Sequence, residues 1–162
     1  MRKVGIVMGS DSDLPIVRKA TDALTALQVP FEVHVYSAHR TPSEARDFAL
    51  GARAAGFGAI IAFAGMAAHL AGALAANTTV PVIGVPCSGG LMGGLDALLS
   101  TVQMPGGIPV ACVGVDNGKN AALLAAEIIA VEDADLAAKL DAQREDAAAG
   151  VLAKDAGIVE RL

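Results

Sequence analysis

The hydrophobic positions of the chain fall into short apolar runs that alternate with stretches of helical periodicity. The first run, Val4–Met8, is continuous and ends at a glycine, which is typical of a buried strand. Apolar residues then recur every three or four positions from Leu14 to Leu27, and this spacing predicts an amphipathic helix that ends at about Gln28. Four further runs predict strands at Phe31–Tyr36, Ala59–Phe63, Val82–Val85 and Val110–Val115.

Helices are predicted between these strands and after the last one. Thr41-Pro42-Ser43-Glu44 combines a threonine N-cap, a first-turn proline and a glutamate three residues on, so a helix should begin there and run to about Ala55. The other predicted helices cover Ala67–Asn77, Gly94–Thr101, Asn120–Ala130 and Ala134–Ala153. Strands that alternate with helices indicate βαβ units and a parallel sheet. We therefore predict an α/β fold: a three-layer, doubly wound parallel sheet, flavodoxin-like, with a C-terminal helical extension.

Composition adds an expectation about assembly. The 162 residues suit one domain, 1–162, whose last segment, 132–162, should be an acidic C-terminal helix and tail. That helix could lie solvated on the domain or pack on a neighbouring subunit. Apolar residues make up 54% of the chain and charged residues 18%, which excludes a disordered chain. Because this is more apolar surface than one small globule easily hides, we expect a homo-oligomer.

Charge and cysteine content limit the possible partners. The net charge is −5 without a basic patch, so nucleic-acid binding is not expected. The segment Ala59–Ala76 is apolar and long enough to suggest a membrane span. We do not expect it to cross a membrane, because it is rich in alanine and glycine, contains His69 and lacks an aromatic belt. The opening apolar run is too short for a signal peptide. Cys87 and Cys112 form no disulfide or zinc-site spacing, which fits a reducing cytoplasm.

The loop after the first strand has the chemistry of a phosphate site. Ligands of open parallel sheets bind beyond the carboxyl ends of the strands, and Gly9-Ser10-Asp11-Ser12-Asp13 lies at such an end, just before a helix N-terminus. Ser10 and Ser12 can donate to phosphate oxygens, and Asp13 can accept from ribose hydroxyls. The same loop can also serve as a helix cap. It matches neither the triphosphate nor the dinucleotide glycine motifs.

Histidines follow the next two strands. Ser37-Ala38-His39-Arg40-Thr41-Pro42 places a proton carrier, His39, beside Arg40, a fixed cation suited to phosphate or carboxylate. Ala64-Gly65-Met66-Ala67-Ala68-His69-Leu70 holds a second histidine without charged neighbours, whereas His34 alternates with apolar residues inside a strand and should be structural. Each loop alone is compatible with a purely structural role, but three at one sheet edge favour a site. The histidines have no metal-ligand spacing, so no metal is expected.

In this order, the three loops resemble the N5-carboxyaminoimidazole ribonucleotide mutase family of purine biosynthesis, the class I phosphoribosylaminoimidazole carboxylase catalytic subunits. The likeness continues through Pro81–Pro86, Leu99–Pro105 and Asn120–Ala126, so it covers nearly the whole chain. It implies a cytoplasmic isomerase that forms a homo-octamer and uses no cofactor. Such an enzyme moves the carboxylate of its ribonucleotide from the exocyclic nitrogen to ring carbon C4. The resemblance implies His39 as the catalytic proton carrier. The substrate-binding residues it implies are Gly9, Ser10, Ser12, Asp13, Ser37, Ala38, Arg40, Ala64, Gly65, Met66, His69 and Leu70.

Two other functions are compatible with the sequence. A sister group carboxylates aminoimidazole ribonucleotide directly with CO₂, but it resembles this chain less, because it tends to have lysine at the position of Arg40 and lacks the run that contains His69. One departure from the mutase pattern is Ala71, where the family usually has proline, and this leaves a freer backbone. From a different class, a non-enzymatic flavodoxin-like module could bind a flavin or a nucleotide monophosphate. An aromatic content of 3% argues against flavin stacking.

Overall fold

Five parallel strands form one sheet in the computed structural model, which describes residues 1–161. The strands are β1 (Lys3–Met8), β2 (Phe31–Val35), β3 (Phe57–Gly65), β4 (Val82–Cys87) and β5 (Ala111–Cys112). Their spatial order is β2-β1-β3-β4-β5, and every neighbouring pair is parallel. This is the order of flavodoxin-like sheets, whose switch point between β1 and β3 forms the ligand crevice. The predicted fold class is confirmed.

Helices cover both faces of the sheet. They are α1 (Leu14–Ala26), α2 (Pro42–Gly51), α3 (Leu70–Ala75), α4 (Leu95–Val102), α5 (Gly118–Ala130) and α6 (Ala134–Ala156). Successive side chains of β1 point to opposite faces, so that Val4 and Ile6 pack with α1, α5 and α6, while Val7 packs with α2 and α3. Within residues 1–161, none of the helices combines the length and the apolar character that a membrane crossing requires.

The fifth strand is shorter than the sequence predicts. The run Val110–Val115 is apolar throughout, yet only Ala111–Cys112 pairs with the sheet. This strand lies at the edge and has β4 as its single neighbour. Gly114, with φ at 119°, takes the chain out of the extended conformation and ends the pairing. The apolar run therefore continues as a loop rather than as a strand.

Two helices are also shorter than predicted. The helix expected over Ala67–Asn77 is only α3, because Met66 has a left-handed backbone, with φ at 53°, and the chain needs three more residues before helical geometry begins. The second helix ends at Gly51 instead of continuing to about Ala55. Hydrogen-bonded turns follow it and lead to Gly56, whose φ of 85° turns the chain into β3.

Candidate active site

A cavity of about 540 Å³ lies at the carboxyl ends of β1, β2, β3 and β4, beside the switch point of the sheet. Its lining contains every site residue predicted from the sequence except His69, together with Ala67 and a segment after β4. The lining residues are Gly9, Ser10, Ser12, Asp13, Ser37, Ala38, His39, Arg40, Ala64, Gly65, Met66, Ala67, Leu70, Ser88, Gly89 and Gly90. Residues from four separate loops thus surround one space.

Two other cavities lie at the opposite side of the sheet, near the amino ends of the strands. One, of about 550 Å³, is lined by residues at the starts of β1 and β3, and the other, of about 840 Å³, lies near the start of β4. Neither has a histidine in its lining. Because ligands of open parallel sheets bind at the carboxyl ends of the strands, the cavity that contains His39 is the candidate active site.

Backbone contacts fold the first loop against β3 and into a short turn. Gly9 N donates to Phe63 O at 3.0 Å, which ties the loop to the neighbouring strand. Ser10 Oγ accepts from Ser12 N at 3.3 Å and caps the single 3-10 turn that precedes α1. The capping role that the sequence left open is therefore present for Ser10. The loop places the N-terminus of α1 at the cavity, and the positive end of the helix dipole there favours an anion.

The carboxyl of Asp13, the last residue of this loop, lies next to the thiol of Cys87. Burial raises the pKa of Asp13, and the nearby carboxylate of Asp11 adds to the effect. Burial also raises the pKa of Cys87 to about 12, with further contributions from the negative charges of Asp13 and Asp116. Cys87 is consequently a neutral thiol at physiological pH and is not a nucleophile.

The second loop is closed by a threonine and bridged to the first loop by an arginine. Thr41 lies at the N-cap of α2, as predicted, but its side chain does not cap that helix. Instead, Thr41 Oγ1 accepts from Ser37 N at 2.8 Å and donates to Ser37 O at 3.3 Å, which closes the loop. Arg40 Nη2 donates to Gly9 O at 2.7 Å, and Arg40 Nε donates to Ser37 Oγ at 3.4 Å. The guanidinium therefore lies beside the proposed phosphate loop.

The histidines of the second and third loops are in contact. His39 Nε2 lies 2.9 Å from His69 Nδ1, and the two rings meet edge to face at 77°. His69 is the N-cap residue of α3 and lies outside the cavity lining, so it reaches the site through His39. His34 is elsewhere, half-buried and stacked on Tyr36 with 5.0 Å between ring centroids. This placement matches its predicted structural role.

The segment after β4 supplies three lining residues that are not among the site residues predicted from the sequence. Ser88, Gly89 and Gly90 line the cavity at the carboxyl end of β4, the strand next to β3. The rule that selected the first three loops applies equally to this one, because it also follows the carboxyl end of a parallel strand. Its residues carry no titratable group, so chemistry alone gave no reason to select them.

Comparison with known proteins gives consistent results. The model of the family described as AIR carboxylase matches residues 3–150. The chain is 54% identical over 146 residues to an N5-carboxyaminoimidazole ribonucleotide mutase of Pyrococcus abyssi, covering 90% of this chain and 84% of that protein. It is 52% identical to the mutase of the same name from Bacillus subtilis, over 92% of this chain and 93% of that protein. A crystal structure of Treponema denticola PurE has a TM-score of 0.87 at 28% identity and covers 94% of this chain and 96% of that chain.

Proposed function

Since the chain belongs to the AIR carboxylase family, we propose that it is an isomerase that converts N5-carboxyaminoimidazole ribonucleotide into 4-carboxy-5-aminoimidazole ribonucleotide in purine biosynthesis. The observation that carries the proposal is the meeting of three matching loops at one cavity beside the switch point, with His39 in its lining. Relatives that share about half of their residues with this chain bear the name of that mutase.

The phosphate end of the substrate fits the first loop. Ser10 and Ser12 supply hydroxyl donors, α1 supplies its N-terminus, and Arg40 supplies a charged fork within reach of the same loop. Asp13 lines the cavity at the start of α1, where its carboxyl can accept hydrogen bonds from the ribose hydroxyls. This arrangement leaves the aminoimidazole ring to extend toward His39 and the third loop.

The chemistry needs confinement and one proton carrier. The bond between the exocyclic nitrogen and its carboxylate breaks, CO₂ leaves, and the electron pair remains on the nitrogen, which gains a proton. C4 then attacks the CO₂, forms the new carbon–carbon bond and loses its own proton. His39 carries these protons. The small apolar side chains around Ala64 and Ala67 hold CO₂ beside C4, and this proximity contributes several kcal/mol, by the order-of-magnitude estimate for such confinement.

The assembly proposed for this chain is a homo-octamer. Several large apolar side chains are exposed in the single chain, among them Met66 in the cavity lining and Leu91, Met92 and Leu99 farther along the chain, with exposed fractions of 48% to 77%. An apolar patch of this kind is typical of an interface, and a second copy of the chain would cover it and close the site. Light scattering should report the mass of eight chains at micromolar concentration; a stable monomer would contradict the assembly.

The proposed ligand is a small phosphorylated ribonucleotide rather than a nucleic acid or a membrane. The proposed location of the protein is the cytoplasm. Cys87 is buried and Cys112 is half-buried, and both are free thiols, which suits a reducing compartment.

The decisive experiment compares two substrates. The purified chain should convert N5-carboxyaminoimidazole ribonucleotide without ATP or metal and should show negligible turnover of aminoimidazole ribonucleotide with bicarbonate. The opposite preference would identify a direct carboxylase. No turnover of either substrate, together with tight binding of a nucleotide monophosphate or flavin, would identify a binding module and overturn the proposal.

A further inference from the structure

Residues 88–94, here called the wall segment, have the sequence Ser-Gly-Gly-Leu-Met-Gly-Gly, and the first three of them line the candidate active site. Four of its residues have left-handed backbones, and they are Gly89, Met92, Gly93 and Gly94, with φ of 116°, 50°, 70° and 104°. A segment this rich in glycine has many conformations available, so holding one of them requires contacts from outside the segment.

Two carboxylates supply such contacts. Asp116 Oδ1 accepts a hydrogen bond from Ser88 N at 2.8 Å, and Asp96 Oδ2 accepts one from Leu91 N at 3.1 Å. Neither aspartate lines the cavity. The two bonds lie on either side of Gly89 and Gly90, two of the three residues of the segment that line the cavity. Hydrogen bonds from backbone N–H groups to a carboxylate are stronger than those to neutral acceptors.

A close approach at Gly90 independently shows how tightly Asp96 contacts the wall segment. A Cβ atom on residue 90 would lie only 2.3 Å from Asp96 Oδ2, so the carboxylate occupies the space that any larger residue needs. The backbone of Gly90, with φ at −92°, does not itself require glycine. A larger residue at this position would therefore have to displace the side chain of Asp96.

Asp116 is itself fixed to the end of β4. Its backbone is left-handed, with φ at 54°, a conformation that aspartate tolerates better than most residues. Asp116 N donates to Pro86 O at 3.0 Å, and Lys19 Nζ donates to Asp116 O at 3.4 Å. The carboxylate that holds Ser88 is thus attached to a rigid strand.

We propose that Asp96 and Asp116 are positioning residues, which do not touch the substrate but hold the wall segment in the conformation that closes the cavity. The inference rests on the proposed function, because it concerns the same site. Without either bond, the substrate must order the wall segment when it binds. That penalty weakens the substrate complex and the transition state equally, so it raises KM and leaves kcat nearly unchanged.

The first test removes each acceptor. Asp96→Ala and Asp116→Gly should each raise KM about 5- to 20-fold with kcat within about twofold. The glycine keeps the left-handed backbone of residue 116 available, so its effect reports the lost acceptor. Asp96→Asn retains an oxygen that can accept from Leu91 N, and its KM should stay within about threefold of wild type. The matched control is Asp22→Ala, an exposed α1 side chain outside the site, which should change neither constant.

The second test is a double-mutant cycle between Gly90 and Asp96. Gly90→Ala alone should raise KM, because its methyl group displaces the carboxylate. In an Asp96→Ala background the same methyl group has room, so Gly90→Ala should add no further loss. Gly106→Ala, where a Cβ meets no atom within 4 Å, is the control and should be silent. Additive effects of the two changes, or an unchanged KM in Asp96→Ala and Asp116→Gly, would overturn the proposal.

Amide hydrogen exchange separates this inference from the proposed function, because it needs no turnover. Exchange at residues 88–91 should be faster in Asp96→Ala and Asp116→Gly than in wild type, and unchanged in Asp22→Ala. If wild-type protein fails to convert the ribonucleotide while the exchange rates change as stated, the proposed function is wrong and the anchoring stands. If wild-type protein turns over and the variants exchange at the wild-type rate, the anchoring is wrong.

Discussion

His39 Nε2 and His69 Nδ1 share a hydrogen bond of 2.9 Å between residues that are 30 positions apart in the chain. One of the two nitrogens must carry the proton and the other must accept it, so the tautomer of each ring is linked to that of its partner. Two fully protonated rings could not make this bond. His69 therefore orients the ring of His39, while Nδ1 of His39 makes no hydrogen bond within the described residues and is available to the substrate.

Replacing His39 by asparagine should abolish turnover and spare binding. Loss of a positioned proton carrier lowers kcat by about 10²- to 10⁴-fold, and a closed pocket would exclude substitute bases. Asparagine is similar in size, and the phosphate contacts of Ser10, Ser12 and Arg40 are untouched. Steady-state conversion and calorimetric affinity for the ribonucleotide, measured on the same preparation, check both halves. If more than about a tenth of the wild-type rate survives, His39 is not the proton carrier and His69 becomes the leading candidate.

Replacing His69 should have a smaller effect that disappears when His39 is absent. His69→Asn removes one orienting hydrogen bond, whose net value of roughly 0.5–1.5 kcal/mol corresponds to a loss of about 2- to 13-fold in kcat. In a His39→Asn background the same change should cost nothing further, because the ring that it orients is gone. The four kcat values of this cycle are the measurement. Independent losses in the double variant would show that His69 acts on the substrate by itself.

Arg40→Ala should weaken binding through the phosphate. A charge-assisted, two-pronged contact contributes roughly 1.5–3 kcal/mol, which corresponds to about 10- to 150-fold in affinity. The side chain also donates to Gly9 O, so its removal loosens the link between the first and second loops. Calorimetry with the ribonucleotide gives the value, and Arg46→Ala, an exposed α2 side chain outside the cavity lining, is the control. An unchanged dissociation constant in Arg40→Ala would refute the role.

The fold was predictable because its signals are local. Apolar runs such as Val4–Met8 and the periodic helices between them identify a parallel α/β sheet without any knowledge of contacts. The errors occurred where a single residue changes the backbone direction. Gly114 ends the fifth strand early, and the left-handed Met66 delays α3. A hydrophobic pattern does not reveal such dihedral angles.

Much of the candidate site was also predictable, since loops after parallel strands meet at one sheet edge. The contact between His39 and His69 was not, because it depends on the tertiary distance between two loops. The threonine at position 41 shows the same limit: the capping motif located the helix start, but the side chain closes its own loop onto Ser37 instead. No residue of segment 88–94 was predicted as a site residue, because the segment carries no titratable group that would mark it.

Cys87 should resist alkylation in the folded chain. Burial and nearby carboxylates raise its pKa to about 12 from an ordinary value of 9.0. At about pH 8 this lowers the thiolate fraction about a thousandfold, so iodoacetamide should react with Cys87 at least about a thousand times more slowly than in denaturant. A Cys112→Ser variant removes the half-buried second thiol from the measurement. Rapid labelling of native Cys112→Ser protein would contradict the burial of Cys87.

Asp13→Asn should stabilise the protein while weakening ribonucleotide binding. Because burial raises the pKa of Asp13 above its ordinary value of 3.8, the folded state holds this proton more tightly than the unfolded state. The free energy of unfolding therefore falls as pH rises through the window between the two pKa values, and above that window the folded chain carries a constant penalty. Asparagine has no such penalty.

The Asp13→Asn variant should thus gain stability over wild type near neutral pH, and the gain should vanish as the pH falls toward 3.8. Chemical denaturation at several pH values measures the difference, with Asp22→Asn as the exposed control that should show no such trend. Calorimetry should show affinity for the ribonucleotide about 2- to 13-fold weaker, the value of one neutral hydrogen bond in place of a charged one. A variant that is less stable than wild type at neutral pH would show that the carboxylate stabilises the folded chain, contrary to the raised pKa.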